Sequence, residues 1–372
     1  MAPTDWQALP HGCDRFYQYQ VGFRYDRRGH MGPASEHLNI EDFVALEAYL
    51  RRERRLDAGE QVSFRTLGGG VSNRTVLVER SGGDNWVLKQ ALAKLRVAVD
   101  WFSSPERIHR EALALVWLAR LAPPGSTTLL VFEDRAQHLL AMQAVPSPHE
   151  NWKDVLTTGR VELSCFEQFG SLLAAIHCRS VERQHELQPV FGDWSFFESL
   201  RLEPYYLYSA KKLPQAAPFL HALVEDTRSR RLTLVHGDYS PKNILIYRGH
   251  LVLVDHEAIH FGDPAFDLGF SLAHFLSGGH YLAAHREEFG LGAEVYWRHY
   301  WKDTSKEEWA KDLEPRVIRH TFGCLLARVV GRSQLDYLSP KKRVRQKEVV
   351  LSLLGEPPQS VPELIKVFLA GL

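Results

Sequence analysis

One stretch restricts the possible folds of this chain more than any other: His236-Gly237-Asp238-Tyr239-Ser240-Pro241-Lys242-Asn243, with Asp255 twelve residues beyond the asparagine. The octapeptide lies between the apolar runs LTLV and NILIY, and Asp255 ends a third, HLVLVD. Short β-prone runs separated by Gly, Asp, Asn and Pro read as strands joined by turns. The strands bracket polar residues where a packed core does not want them, and such a conflict between pattern and polarity marks a functional site. A loop gripped between two strands presents Asp238 and Asn243, five residues apart, on one side, while the neighbouring strand ends in Asp255.

The rest of the chain divides around that site. Residues 1–40 are rich in Gly, Pro, His and Arg with no sustained period and read as an irregular extension. From Asn39, NIEDFVALEAYLRRE has Phe43, Leu46 and Leu50 at helical spacing. VSFRTLGG, NRTVLVER and DNWVLKQA then alternate with Gly-rich turns, which predicts an antiparallel sheet. A helix over PERIHREALALVWLARL follows, then two more strands, TTLLVFED and HLLAMQAV. Beyond Pro146 and Pro148 the pattern turns mainly helical. The expected architecture is α+β and bilobal: an N-lobe of sheet plus helix over residues 41–146, and a mainly helical C-lobe over residues 147–372.

Phosphoryl transfer gives the polar spacing a chemical logic. One carboxylate must orient the attacking hydroxyl and accept its proton, and further oxygen ligands must hold Mg²⁺ against the triphosphate. HGDYSPKN followed by VDHEAIHFGDPAFDLG resembles the aminoglycoside phosphotransferase and choline kinase superfamily, whose fold is protein-kinase-like. That resemblance implies Asp238 as the catalytic residue, Asn243 and Asp255 as magnesium ligands, and Glu257 at the D-x-E position. It also implies a structural role for Asp267, bracing the catalytic loop from the next helix. His236 is expected to be scaffold, and Lys242 an exposed lysine rather than a phosphate partner.

The first half offers nucleotide-binding parts in the same order. Gly68, Gly69 and Gly70, followed by Ser72 and Asn73, form a turn whose backbone N–H groups can approach phosphate oxygens. Lys89, emerging from a strand of apolar neighbours, needs an anionic partner; Glu111 is the expected one, with Glu106 its rival near the helix start. Met142-Gln143-Ala144-Val145 corresponds to the hinge, with Gln143 and Val145 as adenine-binding positions. ATP is the expected nucleotide, GTP the alternative, with Mg²⁺.

Equal numbers of basic and acidic residues, 45 of each, give no electrostatic case for nucleic acid. No apolar run approaches the ~20 residues of a membrane helix, so a cytoplasmic location is expected. Cys13, Cys165, Cys178 and Cys324 are scattered and read as reduced thiols. Gly237 stands where protein kinases carry an arginine, and no activation-loop segment follows Asp255, which argues against a protein substrate. The acceptor is therefore expected to be a small hydroxylated molecule: a sugar, an amino alcohol or an aminoglycoside-like compound. Most of Trp194, Phe196, Phe197, Tyr205, Tyr206 and Tyr208 are expected in the core, and Arg319, His320, Arg328 and Arg332 on solvated helix faces; were these cations at the site instead, they would favour a neutral or anionic acceptor. A non-catalytic nucleotide-binding scaffold is the competing reading, weakened because Asp238, Asn243 and Asp255 are all present.

Overall fold

The computed structural model describes residues 38–68, 70–97 and 100–372; Gly69, Cys13 and nearly all of the expected extension lie outside the described residues. Helix α1 (Phe43–Arg52) starts where Asp42 accepts hydrogen bonds from the Val44 and Ala45 N–H groups, as an N-cap should. Five strands follow: β1 (Val62–Thr66), β2 (Asn73–Arg80), β3 (Trp86–Ala91), β4 (Leu130–Asp134) and β5 (Leu139–Gln143), with helix α2 (Arg107–Leu121) between β3 and β4. They form one antiparallel sheet in the order β1-β2-β3-β5-β4.

Alternation along β3 decides what each face meets. Trp86 and Leu88 join Leu46, Tyr49 and Leu50 of α1 in one core cluster. Val87 and Ala91 point the other way, into a second cluster with Ile108, Ala112 and Leu115 of α2. Lys89 shares this second face, so its side chain is delivered to α2.

Past Gln143 the chain leaves this sheet. Strand β6 (Glu150–Asn151) pairs instead with β8 (Ile244–Tyr247), which pairs with β9 (His250–Leu253), while β7 (Thr233–Val235) pairs with β10 (His260–Gly262). Helices surround these small sheets: α3 (Trp152–Thr157), α4 (Leu163–Glu182), α5 (Gln184–Phe191), α6 (Ser195–Phe197), α7 (Tyr208–Lys212), α8 (Ala217–Arg228), α9 (Ala265–Tyr281), α10 (Arg286–Thr304), α11 (Leu313–Val330), α12 (Pro340–Gly355) and α13 (Val361–Ala370). A π-helical stretch, Glu198–Leu207, runs between α6 and α7. Helix α9 is buried along nearly its whole length, consistent with apolar residues all round it; α4 packs on α10 and α9 on α11 around the large core of this half. The architecture is the expected α+β one, antiparallel sheet and helix first, mainly helical second. Among the described residues, no helix is long and apolar enough to cross a membrane.

Candidate active site

The loop between β7 and β8 is fixed from below by one carboxylate. Asp267, in the first turn of α9, accepts hydrogen bonds from the backbone N–H groups of His236 (2.7 Å) and Gly237 (2.8 Å). The Asp238 N–H donates to His236 Nδ1 (3.2 Å), so His236 carries its proton on Nε2 and donates to His256 Nδ1 (3.0 Å). Burial holds both imidazoles below their ordinary values, as neutral scaffold groups. Gly237 has φ +76°, and a Cβ there would lie 2.6 Å from the Ala258 carbonyl oxygen, so the loop conformation requires glycine.

Asp238 is buried with two cations against it. Arg201 of the π-helical stretch reaches Oδ1 (2.9 Å) and Lys242 reaches Oδ2 (2.7 Å). Burial alone would push this carboxyl up; Arg201 and Lys242 outweigh it and hold it well below the usual carboxylate range. Lys242 is exposed, as expected, with 42% of its side chain accessible, and its ammonium is in addition bound to Asp238. Asn243 donates its amide N–H₂ to the Asp238 carbonyl (2.9 Å) and to Oδ2 (2.8 Å), which leaves the amide oxygen as its remaining polar atom.

Lys89 joins the two halves of the chain. Its Nζ lies 2.7 and 2.8 Å from the Glu111 oxygens and 2.5 Å from Asp255 Oδ1. Burial opposes the charge, but Asp255 and Glu111 outweigh it and keep the ammonium protonated. Glu106 makes no such contact and lies instead 3.4 Å from His138. Asp255 has φ +68°, a left-handed conformation that costs a non-glycine residue on the order of 1–2 kcal/mol and that aspartate tolerates better than most. Asp255 and the free amide oxygen of Asn243 are hard oxygen donors of the kind Mg²⁺ takes, so the residues present fit that ion.

One cavity of about 780 Å³ collects these groups. Gly68, Gly70, Ser72, Asn73, Lys89, Gln143 and Val145 line it from the first half, and Asp238, Asn243 and Asp255 from the second. Glu111 stands behind Lys89, fully buried. Asn73 is tied rather than free: its amide nitrogen donates to Glu257 (3.1 Å). In the segment expected to serve as the hinge, the Gln143 N–H donates to Leu129 O (2.9 Å) and the Ala144 N–H to Asn85 O (2.8 Å).

Three arginines were not anticipated in their actual places. Fully buried Arg107, at the start of α2, binds Glu257 (3.0 Å) and the carbonyls of Ser72, Leu92, Ser103 and Ser104, tying the glycine turn, α2 and the D-x-E segment together. Arg201 donates to the Gly237 carbonyl (2.6 Å) as well as pairing with Asp238, bringing a guanidinium to the loop from 36 residues away. Arg328 corrects the expectation of solvated late-helix charges: it is 5% exposed, lines the cavity, donates to Ser333 O and Oγ (2.9 Å each) and to His274 Nε2 (2.8 Å), and has no carboxylate partner among the described residues. His320 is buried too, whereas Arg319 pairs with Asp226 on a partly exposed face and Arg332 reaches Glu203 and the cavity. Helical period alone does not distinguish such residues from surface charges. Of the aromatic group, Trp194, Phe197, Tyr205 and Tyr206 are core as expected, and Tyr205 also borders the cavity.

The model of the family described as "Phosphotransferase enzyme family" matches residues 63–300. A methylthioribose kinase of Pectobacterium carotovorum subsp. carotovorum is 23% identical over 265 residues, 60% of this chain and 66% of that protein. Methylthioribose kinase 2 of Oryza sativa subsp. japonica is 28% identical over 308 residues, 71% and 66% of the respective chains. The chain therefore spans just under two thirds of the length of these curated relatives. Among solved structures, an ethanolamine kinase of Plasmodium vivax superposes with a TM-score of 0.54 at 12% identity, over 84% of this chain and 89% of that one. A choline kinase of Cryptosporidium parvum Iowa II gives 0.54 at 10% identity, over 87% and 100%. At such identities the likeness is one of fold.

Proposed function

The chain belongs to the phosphotransferase enzyme family, and from that membership together with its cavity we propose that it moves the γ-phosphoryl group of ATP onto a hydroxyl of a small molecule. Supporting this is the convergence, on one cavity, of a lysine held between two carboxylates and an Asp–Asn pair five residues apart. Residues 41–146 form the nucleotide-binding lobe and residues 147–372 the catalytic and acceptor lobe.

The roles follow from the contacts. The glycine turn with Ser72 borders the phosphates, Lys89 neutralises them, and Glu111 fixes Lys89. Gln143 and Val145 border the adenine. Asn243 and Asp255 would hold Mg²⁺, which when bound supplies charge neutralisation of the triphosphate. Asp238 orients the acceptor hydroxyl and takes its proton as the new O–P bond forms and the bond from the γ-phosphorus to the β–γ bridging oxygen breaks, with ADP as the leaving group; the depressed carboxyl stays ionised at neutral pH, ready for that task.

Charge narrows the acceptor. Arg328, buried with no carboxylate partner among the described residues, lines the cavity together with Arg201 and with Arg332, which is paired with Glu203, so a cationic acceptor meets repulsion at Arg328. A neutral or anionic sugar-like acceptor fits better, and the relatives are named for a sugar derivative, methylthioribose.

The test is ATP consumption, with mass spectrometry of the product, across neutral sugars, sugar acids, choline and aminoglycosides. Neutral or acidic sugars are expected to turn over, GTP serving as a parallel donor. Asp238→Asn is expected to lower kcat by about 10³-fold while nucleotide still binds. Turnover of choline or an aminoglycoside in preference to sugars would overturn the acceptor assignment, and near-normal kcat in Asp238→Asn the mechanism.

A further inference from the structure

A second cluster of chemistry-bearing side chains lies on the far side of α2 from the cavity. Glu106 just before α2 and His109 in its first turn lie near His138 of the tight turn between β4 and β5. His109 Nε2 lies 3.4 Å from His138 Nδ1, and Glu106 Oε1 lies 3.4 Å from the same His138 nitrogen. One ligand atom from each of the three falls within 4.8 Å of the others. Metal–ligand bonds of about 2.0–2.1 Å at a tetrahedral angle set neighbouring ligand atoms about 3.3–3.4 Å apart. Both 3.4 Å separations match that edge.

The opposite side of the His109 ring strengthens the case. Its Nδ1–H donates to Glu133 Oε1 at 2.5 Å, and the His109 side chain is only 6% exposed. An ionised carboxylate only accepts, so the proton is on Nδ1 and the Nε2 lone pair faces His138 and Glu106. A carboxylate that fixes the tautomer and aims the other ring nitrogen is the usual outer partner of a metal-bound histidine.

We propose that Glu106, His109 and His138 form a binding site for one divalent transition-metal ion of the Zn²⁺ class, with Glu133 orienting His109 and a water completing the coordination. Two imidazoles and a carboxylate suit Zn²⁺, Co²⁺ or Ni²⁺ better than Mg²⁺ or Ca²⁺. Such an ion bolts the start of α2 to the β4–β5 turn, two residues from Glu111. Occupancy therefore stiffens the helix that holds Lys89; this regulatory consequence rests on the function proposed above, whereas the binding itself does not.

The experiment uses the untagged full-length chain, stripped with a chelator and titrated with Co²⁺ while visible absorption is recorded, then with Zn²⁺ by calorimetry. One Co²⁺ per chain is expected, with the strong visible bands of a tetrahedral site. His109→Gln and His138→Gln should both abolish them, and Glu133→Gln should weaken affinity by about 10- to 100-fold. Zn²⁺ should also raise the Tm of the parent protein and not that of His138→Gln, which alters a half-buried turn residue and spares the buried His109. Asp255→Asn should leave the bands intact, which separates this site from the proposed magnesium site even if the phosphotransferase reading fails. Absence of tetrahedral bands in the parent protein, or binding by both histidine variants as tight as that of the parent, overturns the proposal.

Discussion

Asp238 is a carboxylate under strong cationic control, and the source of that control is testable at a single residue. Arg201 spends Nε on the Gly237 carbonyl and its terminal nitrogen on Asp238, so it fixes both the shape of the loop and the charge state of the acid. Replacing it by methionine keeps much of the stem and removes the guanidinium. With Lys242 alone against it, the Asp238 carboxyl moves up toward the ordinary carboxylate range. Arg201→Met is therefore expected to shift the acid limb of kcat/KM to higher pH, with activity lost progressively as the solution is acidified. Breaking a buried ion pair should also cost about 3–5 kcal/mol in urea denaturation. A pH–rate profile superimposable on that of the parent protein would remove Arg201 from the electrostatics of the site.

At the scale of elements, helix contacts leave little room for adjustment, and Gly170 of α4 marks one tight crossing. A Cβ there would sit 2.4 Å from the Tyr296 carbonyl oxygen and 3.1 Å from the Tyr300 N–H nitrogen, both backbone atoms of α10. Backbone cannot swing aside as a side chain can, so Gly170→Ala is expected to destabilise the protein by about 1–3 kcal/mol while the folded fraction keeps its affinity for nucleotide. A urea midpoint equal to that of the parent protein would mean that α4 and α10 can slide apart freely. Elements like these were partly legible in the sequence. Strand alternation around Lys89 and the five-residue spacing of Asp238 and Asn243 are local, and local patterns survive into the fold. The contacts of Arg201 with Gly237 and Arg107 with Glu257 span 36 and 150 residues, and no periodicity encodes them. Nor does the sequence announce the π-helical stretch that delivers Arg201, because i→i+5 bonding has no compositional signature of its own. By sequence Arg328 is expected to be solvated, because a charged residue on a helix is usually exposed; only the packing of α11 against α9 reveals that it is buried.

Taken as a whole, the molecule has one cluster on each face of the five-stranded sheet and a large core in the helical half that also takes in the end of α2, and it fills that large core with neutral histidines. His260 stacks on Phe197 with ring centroids 3.8 Å apart and donates Nδ1–H to the Ala258 carbonyl; His320 is enclosed beside the Tyr206 hydroxyl. Burial pushes each down to about 3, and holds His236 and His256 below the ordinary value as well. The unfolded chain then binds protons near pH 6.5 that the folded chain refuses, so stability is full above that pH and declines as pH falls toward the folded values. At pH 5 each of His260 and His320 removes about 2 kcal/mol. Glu111 acts in the opposite sense: burial raises its carboxyl, so the folded state gains a proton on acidification and offsets part of this loss. Asp238 and Asp255, both lowered, contribute stability that is lost only below the ordinary carboxylate range, outside this window. The net expectation is a loss of at least about 2 kcal/mol between pH 7 and pH 5, a large share of the ~5–15 kcal/mol typical of a folded protein. Urea denaturation at half-unit pH steps checks it, with His260→Phe expected to flatten the slope by about one proton. A midpoint that stays constant from pH 7 to pH 5 would mean that these histidines find solvent or an acid partner in the folded protein, and that its core is more open than the packing around Phe197 and Tyr206 requires.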